Sequence, residues 1–323
     1  VLWQKVTIVG VGLMGGSLGL AIKRARLAAR VEGCVRRAAS VEECQRLGAV
    51  DRATLELASA VAGAELVVLC TPLGQMRDLT QRMLPALTPG VVVTDVGSVK
   101  GTVVRELTPL VAGAGGHFVG SHPMAGSEKT GVCHAQADLF EQAICVLTPT
   151  KATPRQALLT VEALWRGVGA SIRTLSPEAH DQLVSRASHL PQILAAGLAN
   201  YVLDPAHPRI QASLCAGGFR DTTRIASGSP QMWRDIALAN RQHLGAALGE
   251  LVAGLEKFRR ALENADADAI TEFLANAKQR RDAWCARGNC TLGASRERGW
   301  TQSLEAPGSP SPQPSPPVGE RED

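Results

Sequence analysis

Val6-Thr7-Ile8-Val9-Gly10-Val11-Gly12-Leu13-Met14-Gly15-Gly16-Ser17 opens with four residues of β character and runs straight into Gly10, Gly12 and Gly15. An apolar helical pattern follows at once, with Leu18, Leu20, Ala21 and Ile22 ahead of Lys23 and Arg24. This is G-x-G-x-x-G between a strand and a helix. The first glycine permits the tight turn, the second lets backbone approach a pyrophosphate, and the third lets helix and strand pack closely. Open N–H groups and the positive dipole at a helix start hold phosphates. The stretch predicts a dinucleotide site built on Gly10, Gly12, Leu13, Met14 and Gly15. The alternative is a glycine-rich turn in an α/β protein with no ligand.

Outward from this turn the chain has 323 residues, enough for two domains of ordinary size. It is 45% hydrophobic but only 3% aromatic, so its core is built mainly from Ala, Leu and Val. A net charge of +4 without a basic run argues against nucleic acid as the main partner. The eight cysteines form no C-x-x-C pair, and reduced buried thiols of a cytoplasmic protein are expected. No signal peptide is expected, and no apolar run reaches membrane-spanning length.

The second strand ends in Val35-Arg36-Arg37. An acidic residue here would bond the ribose 2′-OH of NAD. No carboxylate is present, and two guanidinium groups are available for a 2′-phosphate, so NADP is favoured over NAD. The alternative is two solvated arginines at a strand end. A helix is expected over 41–47 and a buried strand over 64–71, with Thr71 and Pro72 closing it at the cofactor edge. A helix over 76–87 and strands over 91–95, 117–120, 143–147 and 170–175 follow. Alternation of this kind predicts an α/β, Rossmann-type doubly wound parallel sheet over 1–172. From Ser176 the chain changes texture. Leu183, Ala187, Leu190, Leu194 and Leu198 recur at helical spacing, and further helices are expected over 230–262 and 267–286. An all-helical domain over 173–288 is predicted, and its apolar faces ask for a homodimer. Residues 289–323, Pro/Ser-rich from Ala306 to Pro317, are expected to be a disordered tail.

Three stretches carry polar residues that need explaining. Asp95-Val96-Gly97-Ser98-Val99-Lys100 follows a buried strand at the edge where open sheets bind ligands. There Ser98 or Lys100 could reach nicotinamide or substrate, or Ser98 could simply cap the next helix. His122, in Gly120–Glu128, sits on a proline-stiffened loop at the same edge. It suits general acid–base work near the usual histidine pKa of about 6.5, or is structural. In the helical half, His180-Asp181 and Ser188-His189-Leu190-Pro191-Gln192 share a helix that Pro191 should kink. Arg220 and Arg224 flank a Gly217-Gly218 turn and are suited to a carboxylate. No Cys/His/Asp cluster has metal-ligand spacing.

GVGLMGGS, DVGSVK, SHPMAGSE, SHLP and GGFRDTTR occur in this order in prephenate dehydrogenases, also called cyclohexadienyl or arogenate dehydrogenases, of tyrosine biosynthesis. The chain resembles that family over about residues 4–287. The resemblance implies a nucleotide domain, a helical dimerisation domain and an active site between them. It implies oxidative decarboxylation of prephenate or arogenate. It gives His122 the proton of the ring hydroxyl and gives Ser98 the orientation of His122 or of that hydroxyl. Arg220 would anchor a substrate carboxylate. His180 and Ser188 would support the pocket, Glu128 would sit at its mouth, and Trp233 would lie near. Two departures stand out: Val35 where many members are acidic, and Gln192 where SHLPH is common. The first weakens NAD preference, and the second leaves arogenate open beside prephenate. A β-hydroxyacid-type dehydrogenase shares the plan but needs a G-x-x-x-K helix motif that the helical half lacks. A non-catalytic, dinucleotide-sensing dimer would not need His122, Arg220 and Ser98 in one cleft.

Overall fold

The computed structural model describes residues 1–127 and 129–289. Glu128 and residues 290–323, most of the expected tail, lie outside the described residues. Eight strands form one sheet: β1 Trp3–Val9, β2 Ala28–Cys34, β3 Arg52–Thr54, β4 Leu66–Leu69, β5 Val92–Asp95, β6 His117–Pro123, β7 Ile144–Thr148 and β8 Ser171–Thr174. Their order is β3-β2-β1-β4-β5-β6-β7-β8. Strands β3 to β6 run parallel in that order, whereas β7 is antiparallel to β6 and parallel to β8. The sheet is therefore mostly parallel, with a reversed pair at one edge.

Alternation along the central strands feeds two cores. Val6, Ile8, Leu66, Val68 and Val92 pack on one face, under helices Leu13–Arg24 and Arg155–Gly167. Val9, Val67, Leu69 and Val93 pack on the other, under helices Leu73–Met83 and Gly101–Gly113. A strand buried on both faces reads as a continuous apolar run, which is how these segments read. Where β1 meets its helix, a Cβ on Gly15 would lie 2.1 Å from the Gly10 carbonyl oxygen, so only glycine fits.

After β8 the described chain is helical. The helix expected from the spacing of Leu183 to Leu198 begins at Pro177 and is interrupted: Pro177–Val184 passes through a π turn, Ser185–His189, into Leu190–Val202. Pro191 is the physical reason. It has no N–H for the Ala187 carbonyl, and its ring crowds that carbonyl, so the backbone widens one turn earlier. The segment expected as one helix over 230–262 is two, Pro230–Ala239 and Arg241–Glu263, broken at Asn240. Helix Ala267–Trp284 follows. Residues Val1–Glu250 form one compact unit, and the chain from Leu251 forms a second. Among the described residues six cysteines are free, three of them buried. Cys285 is disulfide-bonded, a departure from the all-reduced expectation. Among the described residues no helix is long and apolar enough to cross a membrane.

Candidate active site

Two constellations lie at the carboxyl edge of the sheet, both within the unit Val1–Glu250. The first is the glycine turn. Gly10 adopts φ +96°, and helix Leu13–Arg24 starts from Gly12 with no side-chain cap. Its first N–H groups therefore have no side-chain acceptor. A Cβ on Gly12 would meet nothing within 4 Å, so the space before the helix start is open. The Thr71 hydroxyl is buried beside this turn without a hydrogen-bond partner. An open helix start and an orphaned hydroxyl fit a pyrophosphate-bearing dinucleotide. At the end of β2, Val35 is buried, whereas Arg36 and Arg37 are exposed.

The second constellation is a buried chain of titratable groups. His122, on β6, is 7% exposed. Its Nδ1 lies 2.8 Å from Nε2 of His180, and Nδ1 of His180 lies 2.8 Å from Oδ1 of Asp181. The Asp181 carboxylate also accepts the backbone N–H groups of Lys100, at 2.7 Å, and Gly101, at 2.8 Å. These partners fix every proton in the chain. Backbone N–H groups only donate, so Asp181 accepts as a carboxylate. His180 must then donate from Nδ1 and accept at Nε2. His122 must donate from Nδ1, which leaves its Nε2 as a bare acceptor. A neutral histidine with a bare Nε2 has the protonation state that a general base needs.

The electrostatics agree. Burial, the neighbouring His180, Lys100 and His189 together hold His122 well below the usual histidine range. Burial also lowers His180, against the pull of Asp181. Burial alone would raise Asp181, but its bonds from His180, Lys100 and Gly101 outweigh it and keep the carboxyl low.

Lys100 is fully enclosed. Its Nζ donates to Asp95, at the end of β5, and to the Ser121 carbonyl at 2.8 Å. Asp95 accepts the Ser121 N–H at 3.1 Å and the Gly97 N–H at 2.8 Å. Lys100 is thus committed to holding β5, its loop and β6 in register. The sequence reading, in which Lys100 could reach a ligand, is corrected.

The other expected site residues separate. His180 lies behind His122 and orients it, so Ser98 is not the group that sets this ring. Ser98 is half-buried on the loop between Asp95 and Lys100, and the cap of helix Gly101–Gly113 is Lys100, with no side-chain bond. Along the kinked helix Asp181, Ser185, His189 and Gln192 are buried, whereas Ser188 lies on the flank. The Gln192 amide donates to the Ile225 carbonyl at 3.0 Å. Trp233 meets His189 edge-on, with ring centroids 6.1 Å apart. Arg220 lines an open cleft of about 390 Å³ with Phe219, Thr223 and Arg224; its walls include none of His122, His180 or Ser98. Asp95, Asp181, His189 and Asn240 were missed as site residues. Asp95, Asp181 and His189 lay in the polar stretches singled out in the sequence but were given no role there, and Asn240 carried no such signal.

Fold and site together define a Rossmann-type protein with a helix start that fits a dinucleotide and a buried neutral histidine whose Nε2 is bare. The family models narrow that class. "Prephenate dehydrogenase, nucleotide-binding domain" matches residues 18–174, and "Prephenate dehydrogenase, dimerization domain" matches residues 176–276. The prephenate dehydrogenase of Bacillus subtilis is 36% identical over 280 residues, covering 86% of this chain and 75% of that protein. The cyclohexadienyl dehydrogenase of Zymomonas mobilis is 33% identical, covering 86% and 95%. The crystal structure of prephenate dehydrogenase from A. aeolicus in complex with hydroxyphenyl propionate and NAD+ superposes with a TM-score of 0.81. It is 32% identical and covers 87% of this chain and 98% of that one. The chain belongs to the prephenate dehydrogenase family.

The buried histidines set a pH dependence of stability. His122, His180 and His189 all have pKa values lowered in the folded chain, His189 to about 4. Below about pH 6.5 the unfolded chain takes up protons that the folded chain refuses. Stability is therefore full above about 6.5 and falls as pH drops towards the folded values. Each such histidine costs about 1.4 kcal/mol per pH unit within that window. Thermal melts from pH 8 to 4.5 should show a plateau and then a fall beginning near 6.5. His189→Asn should reduce the steepness of that fall.

Proposed function

We propose that this chain catalyses the NAD(P)-dependent oxidative decarboxylation of prephenate, arogenate or both. The observation that carries the reading is the bare Nε2 of His122, held by His180 and Asp181 at the ligand-binding edge of the sheet. A bound nicotinamide dinucleotide supplies the hydride acceptor. His122 accepts the hydrogen bond of the ring hydroxyl at Nε2. It takes that proton as the carbinol carbon loses hydride and the C–O bond gains carbonyl character. Carbon dioxide leaves from the opposite ring carbon, and its bonding electron pair completes the aromatic ring. Ser98 is assigned to the hydroxyl and the nicotinamide. Arg220 is assigned to a substrate carboxylate, supported by its shared cleft with Arg224. His180 acts through His122. Ser188, Glu128 and Trp233 are assigned to the pocket. Gln192 is neutral; with one amide hydrogen on Ile225, it keeps a carbonyl that can accept from the ammonium of arogenate.

The cofactor turn comprises Gly10, Gly12, Leu13, Met14, Gly15, Thr71 and Pro72. NADP is preferred over NAD, because two exposed guanidinium groups and no carboxylate stand at the end of β2. The domain boundary is assigned near residue 172, which the junction of the two family models between 174 and 176 supports. A homodimer is assigned to the helical half. Leu194, Leu198, Tyr201, Ile210 and Leu214 expose apolar surface there, and the matching model is a dimerization domain.

His122→Asn should lower kcat by about 10²-fold or more and change KM much less, because the proton moves only as hydride leaves. The acid limb of kcat/KM should lie well below 6.5, not at it, since His122 is held neutral in the folded protein. Steady-state assays with prephenate and arogenate check both; an unchanged kcat in the variant removes His122 as the base. Arg36→Ala should raise KM for NADP about tenfold or more and leave that for NAD within about twofold, the loss of one charge-assisted hydrogen bond. Equal losses for both dinucleotides would remove the 2′-phosphate reading.

A further inference from the structure

One buried nitrogen is left over by the mechanism. His189 is 1% exposed, and its Nε2 meets no well-aligned side-chain acceptor; the Ser98 backbone is hydrogen-bonded to this ring. Asn240, 2% exposed, stands beside it at the break between helices Pro230–Ala239 and Arg241–Glu263. The Asn240 amide nitrogen donates to the Asp181 carbonyl at 2.9 Å and to Nδ1 of His189 at 3.1 Å.

These contacts fix a second set of protons. The Asp181 carbonyl can only accept, so Asn240 must turn its NH₂ towards it; the reverse orientation would set two acceptors face to face. The same NH₂ then faces Nδ1 of His189, which must be bare. Burial keeps this imidazole neutral near pH 7, with a pKa of about 4. Its single proton therefore sits on Nε2. The Ser98 backbone lies alongside this ring, and backbone oxygen is an acceptor. Asp181 holds the other end of the same loop through the N–H groups of Lys100 and Gly101.

We propose that Asn240 is a positioning residue for the dehydrogenase reaction: it locks His189 as an Nε2–H donor against the loop that carries Ser98. The inference rests on the activity proposed above. Asn240 touches no reacting atom in this account. It acts through His189, and the two rings take opposite polarity: His122 presents a bare Nε2, and His189 presents a protonated one. A buried donor is costly unless an acceptor meets it, and the backbone carbonyl of Ser98, on that loop, is the acceptor placed to do so.

The first readout needs no turnover, only the assignment of the ring by its loss in His189→Gln. In ¹⁵N-histidine spectra of the unliganded protein near pH 7, His189 should show a protonated Nε2 and a bare Nδ1. A protonated Nδ1 would overturn the proposal. Asn240→Asp replaces both donated hydrogens by an acceptor, so in that variant Nδ1 of His189 should become protonated. The second readout is a double-mutant cycle on kcat per folded site, with folded fraction taken from thermal melts. Asn240→Asp should lower kcat about tenfold or more in the natural background. In a His189→Gln background it should cost less than about threefold, because glutamine keeps an N–H donor and has no tautomer to set. Equal losses in both backgrounds, or a loss that merely tracks the folded fraction, would overturn it. If the natural chain turns over neither prephenate nor arogenate, the proposed activity fails, and the tautomer of His189 still decides the arrangement inferred here.

Discussion

The Asp181 carboxylate is the constraint on which the site depends. It accepts three hydrogen bonds from groups that belong to different parts of the unit: two backbone N–H groups at the start of helix Gly101–Gly113, and Nδ1 of His180 on its own helix. A carboxylate so placed can only be an acceptor, and that fixes everything joined to it. Its backbone carbonyl does the same work on the other side, through Asn240. One residue thus dictates the polarity of His122 by its side chain and of His189 by its main chain. Neither ring needs a charge of its own. The nearby cation, Lys100, is neutralised by Asp95 and buried under the strand that carries His122.

The sheet makes this arrangement possible. Residues that end strands at one edge must face the same side, because parallel strands in register carry their loops together. Gly10 after β1, Thr71 after β4, Ser98 after β5 and His122 on β6 follow from that rule. Helix Pro177–Val184 then sets His180 and Asp181 against these loops, with the π turn before Pro191 displacing the inward face of the helix that follows. Without that extra residue in the turn, simple eight-residue spacing would pair His180 with Ser188. With it, His189 is enclosed and Ser188 lies at the flank.

Most of the sheet could be read from residues alone. Strands buried on both faces are continuous apolar runs, and glycines at a strand end mark the turn. The reversed direction of β7 could not be read, since a four- or five-residue apolar strand looks the same either way. The break at Asn240 was hidden because the residues on both sides are good helix formers and no glycine or proline intervenes. In the site, His122 was legible from its place before Pro123 at the sheet edge, although the strand runs on through both residues where a loop was expected. The role of His180 was not. Adjacent to Asp181 on a helix, it read as a pocket residue, whereas it is wholly enclosed and bonded to His122 across 58 positions of sequence. A relay between residues so far apart is set by tertiary packing, which no local pattern records.

The central claim is that His122 is a neutral base whose bare nitrogen is Nε2. The most direct measurement is its imidazole ¹⁵N shifts in histidine-labelled protein, assigned by their loss in His122→Asn, and followed from pH 8 down to about 5.5. The account predicts a protonated Nδ1 and a bare Nε2 throughout, with no titration near 6.5. A protonated Nε2 at neutral pH, or a ring that gains its second proton near 6.5, would contradict it.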